Sequence, residues 1–260
     1  MSIFYSKNFY QRDYQRTSRS ARVVVPILID AFKGGLQSVI DIGCGRGVWL
    51  DEFKKLGIGA VKGRDGPWVQ SANPLIEGGE FQATDLSLPY AEPDKYDLAM
   101  TLEVAEHIDE VNADTFVDSL AKLSDTIMFS AAIEGQGGQH HVNERPLAYW
   151  IEKFATRGFK PFDPIRPRVW QNAEVCWWYR QNIVIFCREG SQMEARWQEL
   201  HSTAPHIFDL AHPVGFQQKA ALANWFSPEE YIGLWVARLK RKLFSRPAGA
   251  ILVQPETLKA

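Results

Sequence analysis

Short apolar runs alternate with stretches of helical period along most of this chain. Ser38–Gly43 predicts a first strand and Val48–Leu56 a first helix. Gly59–Gly66, Glu80–Thr84 and Tyr96–Leu102 predict three further strands, with a helix over Ala113–Leu123. Thr126–Ala132 predicts a fifth strand. A polar loop, Glu134–Pro146, then leads into a helix over Leu147–Phe159. Two more strands are expected near Lys160–Ile165 and Val175–Arg188, the second read from its alternating pattern. Such β/α alternation predicts a mostly parallel, doubly wound α/β sheet with helices on both faces. In sheets of this kind ligands bind at the C-terminal ends of the strands.

The flanks differ from this pattern. Residues 1–35 predict a lead-in helical segment, with Arg12, Arg16, Arg19 and Arg22 sharing one face. That face is either solvated or a lid over anionic groups. Residues 36–189 form the expected main domain and 190–260 a helical extension. Within the extension Ser191–His201 is helical in pattern. Ser227-Pro228-Glu229-Glu230 is a helix start of capping-box spacing with proline at the first position. The helix after it carries Ile232, Trp235, Val236, Leu239 and Leu243 on one side, then Arg238, Lys240, Arg241 and Lys242. It suits packing on the main domain or on a second subunit, as in a homodimer. The alternative is contact with an anionic membrane surface.

Composition narrows the classes. A net charge of −2 gives no support to a large nucleic-acid footprint and leaves a local basic patch open. Cys44, Cys176 and Cys187 are widely spaced, without a metal or disulfide pattern, and fit reduced thiols of a cytoplasmic protein. The first residues carry no apolar core of signal-peptide length, and no apolar run approaches the roughly 20 residues of a membrane span.

The candidate chemistry begins at Asp41-Ile42-Gly43-Cys44-Gly45-Arg46-Gly47, a strand end running into a three-glycine turn and a helix. Glycines permit a tight turn and close approach of backbone to a ligand. The N–H groups opening the next helix can meet its polar atoms. The glycines fall at alternate positions after an aspartate, unlike the G-x-G-x-x-G of dinucleotide folds. Asp65-Gly66 ends the second expected strand, Asp85-Leu86 follows the third, and YDLAMTLEV follows in turn. This order resembles the class I S-adenosylmethionine-dependent methyltransferases over roughly residues 20–188. The resemblance implies a Rossmann-like, seven-stranded, mostly parallel sheet with one antiparallel strand. It also implies that Asp41, Gly43, Cys44, Gly45 and Gly47 cradle S-adenosylmethionine. Asp65 beside Gly66 would grip the ribose diol, Asp85 and Leu86 would meet the adenine, and Glu103 would lie near the cofactor. Arg64 departs from the pattern, where many relatives have a small or apolar residue. The segments DIGCGRGVWL, LEVAEHI, FSAAIEGQGGQHHVNE and WWYRQN resemble a bacterial methyltransferase group met among surface-glycan and secondary-metabolite genes.

The acceptor side is carried by Glu103-Val104-Ala105-Glu106-His107. If this segment is helical, Glu103, Glu106 and His107 share one turn. Such a donor set suits Mg²⁺, Mn²⁺ or Fe²⁺. The arrangement is similar to that of small-RNA 3′-end 2′-O-methyltransferases and of ubiquinone-biosynthesis O-methyltransferases. That similarity makes Glu103, Glu106, His107 and either His140 or His141 candidate metal ligands. Without metal, Glu106, His140 and His141 are the catalytic candidates. Gln136, Asn143 and Glu144 offer polar contacts, and Trp170, Trp177, Trp178 and Tyr179 offer flat faces for a carbohydrate ring; Tyr179 and Asn182 are candidates to reach the pocket. The expected reaction is O-methylation of a sugar or glycosylated small molecule. Metal-free O- or N-methylation of another metabolite, and a non-catalytic cofactor-binding module, remain as alternatives.

Overall fold

The computed structural model describes residues 7–201 and 209–224. Its elements run α1 (Lys7–Ala31), β1 (Ser38–Ile42), α2 (Val48–Lys55), β2 (Ala60–Asp65), β3 (Phe81–Ala83) and β4 (Leu98–Leu102). Then follow α3 (Ala113–Leu123), β5 (Thr126–Ser130), α4 (Leu147–Ala155), β6 (Phe159–Phe162) and the short α5 (Arg166–Val169). The described part closes with α6 (Trp177–Asn182), β7 (Val184–Arg188), α7 (Glu194–Leu200) and α8 (Pro213–Asn224).

The seven strands form one sheet in the order β3-β2-β1-β4-β5-β7-β6. β1 through β5 pair in parallel, while β7 runs antiparallel to both neighbours, β5 and β6. Strand order reverses between β1 and β4, whose C-terminal ends therefore flank a crevice. All of β4 and β5 is buried, as expected of strands covered on both faces.

Side chains alternate between two apolar cores along each central strand. Val39, Leu98, Met100, Met128 and Ile185 join the core that contains α1, α2 and Trp197 of α7. Ile40, Ala99, Ile127, Phe129 and Phe186 join the core under α3 and α4, with Phe116, Leu120, Trp150 and Phe154. The lead-in helix α1 is thus built into the first core through Ala21, Val24 and Leu28. Arg16, Arg19 and Arg22 stay exposed.

The expected strand over Val175–Arg188 is divided, and only Val184–Arg188 pairs. Its register sets Val184 opposite Phe129, one residue from the end of β5 at Ser130. Residues before Ile183 run past the end of β5. Their backbone groups are satisfied locally instead, in the helical turn α6, with Arg180 N–H on the Cys176 carbonyl and Ile183 N–H on that of Tyr179.

One compact unit extends to Gly215 and a second begins at Phe216. Trp197, fully buried in the first core, therefore belongs with the sheet. Of the second unit only residues 216–224, the continuation of α8, are described. The expected helix starting at Ser227, with its basic face, lies outside the described residues, as does the side chain of Arg12. No helix among the described residues is long and apolar enough to cross a membrane.

Candidate active site

β1 delivers its C-terminal end straight into the glycine turn. Gly43, Gly45 and Gly47 have φ of 79, 51 and 78°, in the left-handed region. At Gly43 a Cβ would lie 2.2 Å from Val104 Cγ2, so glycine is required both by conformation and by space. Gly43 and Cys44 donate N–H bonds to the Arg64 carbonyl at the end of β2. Gly45 N–H donates to Asp65 Oδ2 at 2.8 Å, and Gly66 N–H to Asp65 Oδ1 at 2.6 Å. Asp65 is thereby fixed beside the turn. Burial pushes its carboxyl up to about 6, and the Gly45 and Gly66 amides offset part of that rise. Asp41 is buried inside the sheet. Burial first, then the charge of Asp65, holds its carboxyl well above the usual range. Burial, with Asp41 and Asp65 nearby, likewise raises the Cys44 thiol and keeps it protonated.

Two cavities meet at Gly43 and Gly45. The larger, about 460 Å³, is lined by Asp65, Gly66, Trp68, Asp85, Leu86, Glu103 and His107 among others. The smaller, about 140 Å³, is closed by Tyr14 and Thr17 of α1, Arg46, Trp49 and Tyr179, over Asp41 and Cys44. Asp85 sits at the cavity wall, where its Oδ1 accepts from the Ser87 N–H and hydroxyl. The Trp68 ring lies against Gly66, where a Cβ would approach it to 2.0 Å. The periodicity gave no sign of Tyr14, Thr17 or Trp68, since each reaches the site from an element whose direction only the tertiary fold sets.

Arg64 turns away from these cavities. It donates to Glu92 Oε1 at 2.7 Å, to Thr84 Oγ1 and to the Ala91 carbonyl. Burial pushes Glu92 up, but Lys62 and Arg64 more than reverse this and leave it below the ordinary range. Arg64 therefore ties β2 to the segment before β4, and the departure at this position does not intrude on the site.

Past β4 the chain does not form the expected single turn of helix. Glu103 takes φ 57°, a strained value for a residue with a Cβ. It is held there by its N–H on the carbonyl and hydroxyl of Ser130. Only Ala105–His107 follow as a 3-10 turn. Glu103 is thus separated from Glu106 and His107. Its Oε2 accepts from Gln136 Nε2 at 2.7 Å and its Oε1 from Asn182 Nδ2 at 3.0 Å. Burial raises its pKa, and these amides and Ser130 oppose the rise.

Among the described residues one His/Cys/Asp/Glu cluster could hold an ion: Glu106, His107 and His141, with one ligand atom of each within 4.8 Å of the others. Glu103, expected as a fourth ligand, is not in it. Glu106 is fully buried, and neither carboxylate oxygen has a hydrogen-bond partner of good geometry. Burial and the charge of Glu103 raise its pKa well above the ordinary range. Burial, then the neighbouring His141, lowers His107 to about 4, so it is neutral at pH 7. His107 Nδ1 faces the His140 carbonyl at 3.1 Å, and His141 Nδ1 faces Glu144 Oε1 at 2.8 Å. Each acceptor places a proton on the facing Nδ1, so a metal bond from either ring would be made through Nε2. His140 itself is exposed, and the group it presents to the cluster is its carbonyl. Glu144 also accepts the Gly135 and Gly137 N–H groups, which folds the loop around His141. Trp170 packs on His212 and Trp177 on Trp178 and Gly215; of the four expected aromatics Tyr179 alone lines either of these two cavities.

A family described as a methyltransferase domain matches residues 10–161. The chain belongs to this family. The methyltransferase is 28% identical over 150 residues to a protein named ubiquinone biosynthesis O-methyltransferase from Bartonella quintana. The match covers 52% of this chain and 56% of that relative, so the chain spans little more than half the relative's length. Among solved structures it is similar to a sugar N-methyltransferase from Streptoalloteichus sp., at 12% identity and a TM-score of 0.54. That match covers 71% of this chain and 93% of the other. It is also similar to an amino pentose methyltransferase from Micromonospora echinaspora, at 12% identity and a TM-score of 0.53, covering 69% and 96%. The methyltransferase shares its fold with these two sugar-modifying proteins.

Proposed function

We propose that this methyltransferase moves the methyl group of S-adenosylmethionine to a hydroxyl of a small, carbohydrate-containing acceptor, with a divalent cation at Glu106, His107 and His141. The observation that carries the reading is the single crevice joining the glycine turn and Asp65 to Glu103 and His107. The donor fits these residues. The turn has no room for a Cβ at Gly43, and Asp65 offers carboxylate oxygens suited to a ribose diol. Leu86 and Trp68 supply apolar walls for adenine, and the smaller cavity with Arg46 suits the amino-acid end. Bound there, S-adenosylmethionine supplies an electrophilic methyl on a sulfonium.

The donor set also fits a cation. A fully buried carboxyl group whose oxygens lack hydrogen bonds of good geometry is unfavourable when ionised unless something compensates it. Two imidazoles face it, each with its Nδ1 committed to an acceptor, as is usual for metal-ligating histidines. Losing Glu103 from the set leaves two nitrogens and one carboxylate, which favours Fe²⁺ or Mn²⁺ over Mg²⁺. A cation there would acidify an acceptor hydroxyl. Among the residues themselves, Glu144 orients His141, while Glu103 places a carboxyl group, held by Gln136 and Asn182, at the crevice. A hydroxyl needs such help to lose its proton, whereas an amine loses its proton to solvent readily. This supports oxygen as the methylated atom. The relative named for O-methylation supports oxygen and the two structures named for sugars support the acceptor class, although one of these is named an N-methyltransferase.

The test is methyl transfer to matched hydroxyl and amino sugars, before and after chelation, with Mn²⁺, Fe²⁺, Zn²⁺ or Mg²⁺ restored. Transfer to hydroxyl that chelation abolishes and Mn²⁺ or Fe²⁺ restores is the expected result. Transfer confined to amines contradicts the acceptor. Indifference to chelation removes the cation and leaves Glu106 or His141 as general base.

A further inference from the structure

Behind Glu103 lies a closed set of side-chain amides, from the loop after β5 and from α6. Gln181 Nε2 donates to Gln136 Oε1 at 3.1 Å and to Asn182 Oδ1 at 2.9 Å. Asn182 Nδ2 donates to Gln136 Oε1 at 2.9 Å as well as to Glu103. Gln181 Oε1 accepts the backbone N–H of His212 at 2.7 Å. Gln136, Gln181 and Asn182 are all buried.

The direction of this chain follows from one group. A backbone N–H can only donate. It therefore fixes the oxygen of Gln181 toward His212 and its nitrogen inward. That nitrogen in turn requires the oxygens of Gln136 and Asn182 to face it. Their nitrogens are then left facing Glu103, one on each carboxylate oxygen. His212 cannot easily turn away, because its ring is anchored at both nitrogens: Nε2 faces the Trp170 carbonyl at 3.0 Å, and Nδ1 accepts the Val214 N–H at 3.2 Å. An amide pair free to flip could present oxygens to Glu103 instead, which would repel the carboxylate.

We propose that Gln181, which touches neither cavity, is a positioning residue: through Gln136 and Asn182 it orients the Glu103 carboxylate at the transfer site. The inference rests on the crevice being that site. Sequence gave no sign of it, since Gln181 and Gln136 are 45 residues apart and His212 lies beyond the sheet.

A double-mutant cycle tests it. Gln181→Glu keeps volume but replaces the inward nitrogen with an acceptor, reversing the chain. Gln181→Met removes the polarity without adding charge. Either is combined with Glu103→Gln, and kcat/KM for transfer, donor affinity and melting temperature are measured for each. Gln181→Glu is expected to lower kcat/KM about 10- to 100-fold, the scale of hydrogen bonds to a charged group. In the Glu103→Gln background it is expected to add almost nothing, because two residues acting as one unit are not additive. Equal losses in both backgrounds, or no loss in the first, overturn the proposal. Failure of both Gln181 variants to fold would assign the residue a structural role and overturn it too. Absence of transfer in the unmutated protein would instead count against the proposed function.

Discussion

Single residues set the chemistry here through what they forbid and what they charge. Asp65 is the clearest case. Its folded pKa of about 6 lies above the ordinary 3.8, so the unliganded folded state holds a proton that the unfolded chain has lost. Asp65 therefore lowers stability as pH rises from about 4 to 6. In the proposed donor site ribose hydroxyls would donate to the ionised form, so affinity for S-adenosylmethionine should move the opposite way. It should strengthen from pH 5 to pH 7 in titration calorimetry and flatten above, and Asp65→Asn should remove the dependence. Gly138 offers a second residue-scale prediction. A Cβ there would lie 2.1 Å from His141 Nε2, so Gly138→Ala must displace that imidazole. Transfer should fall about 10- to 100-fold, the usual effect of moving a reacting group by an ångström. Donor affinity should stay unchanged. The glycines and Asp65 were legible in the sequence because a tight turn and a strand-end acid leave local marks. The left-handed Glu103 was not, because its conformation is imposed by Ser130 across the sheet.

Elements explain where that legibility stopped. The strands were readable from apolar runs because burial on both faces demands them. The alternation through Trp177–Asn182 predicts strand, yet the segment runs past the end of β5 and coils into α6. No local signal marks the end of a partner strand, and the same coiling brings Gln181 and Asn182 behind Glu103. Arg64 is a parallel case: its meaning lies in Glu92, 28 residues downstream. Glu92 and Arg64 side chains are 4% and 6% exposed, so truncating one strands a buried charge. Glu92→Ala should destabilise the fold by about 3–5 kcal/mol in denaturant titration. A loss below about 1 kcal/mol, typical of exposed pairs, would show the pair to be peripheral.

At the scale of the whole molecule, the order β3-β2-β1-β4-β5-β7-β6 brings separate features to one edge. The ends of β1, β2 and β4 carry the turn, Asp65 and Glu103. The loop after β5 brings Gln136 and His141, and α1 reaches back to close the smaller cavity with Tyr14 and Thr17. The sequence showed the first group, since each member terminates a strand. It also offered Gln136 and His141 as candidates in the polar loop, and hid Tyr14 and Thr17, which reach the site only when the sheet has closed. In the proposed division of labour the turn and Asp65 hold the donor while Glu106 serves the acceptor. Calorimetric titration with S-adenosylhomocysteine tests it most directly. The unmutated protein and Glu106→Gln should bind alike, and Asp65→Asn should bind at least about tenfold more weakly, the scale of one lost charged hydrogen bond. No binding by the unmutated protein, or equal binding by Asp65→Asn, would contradict the account.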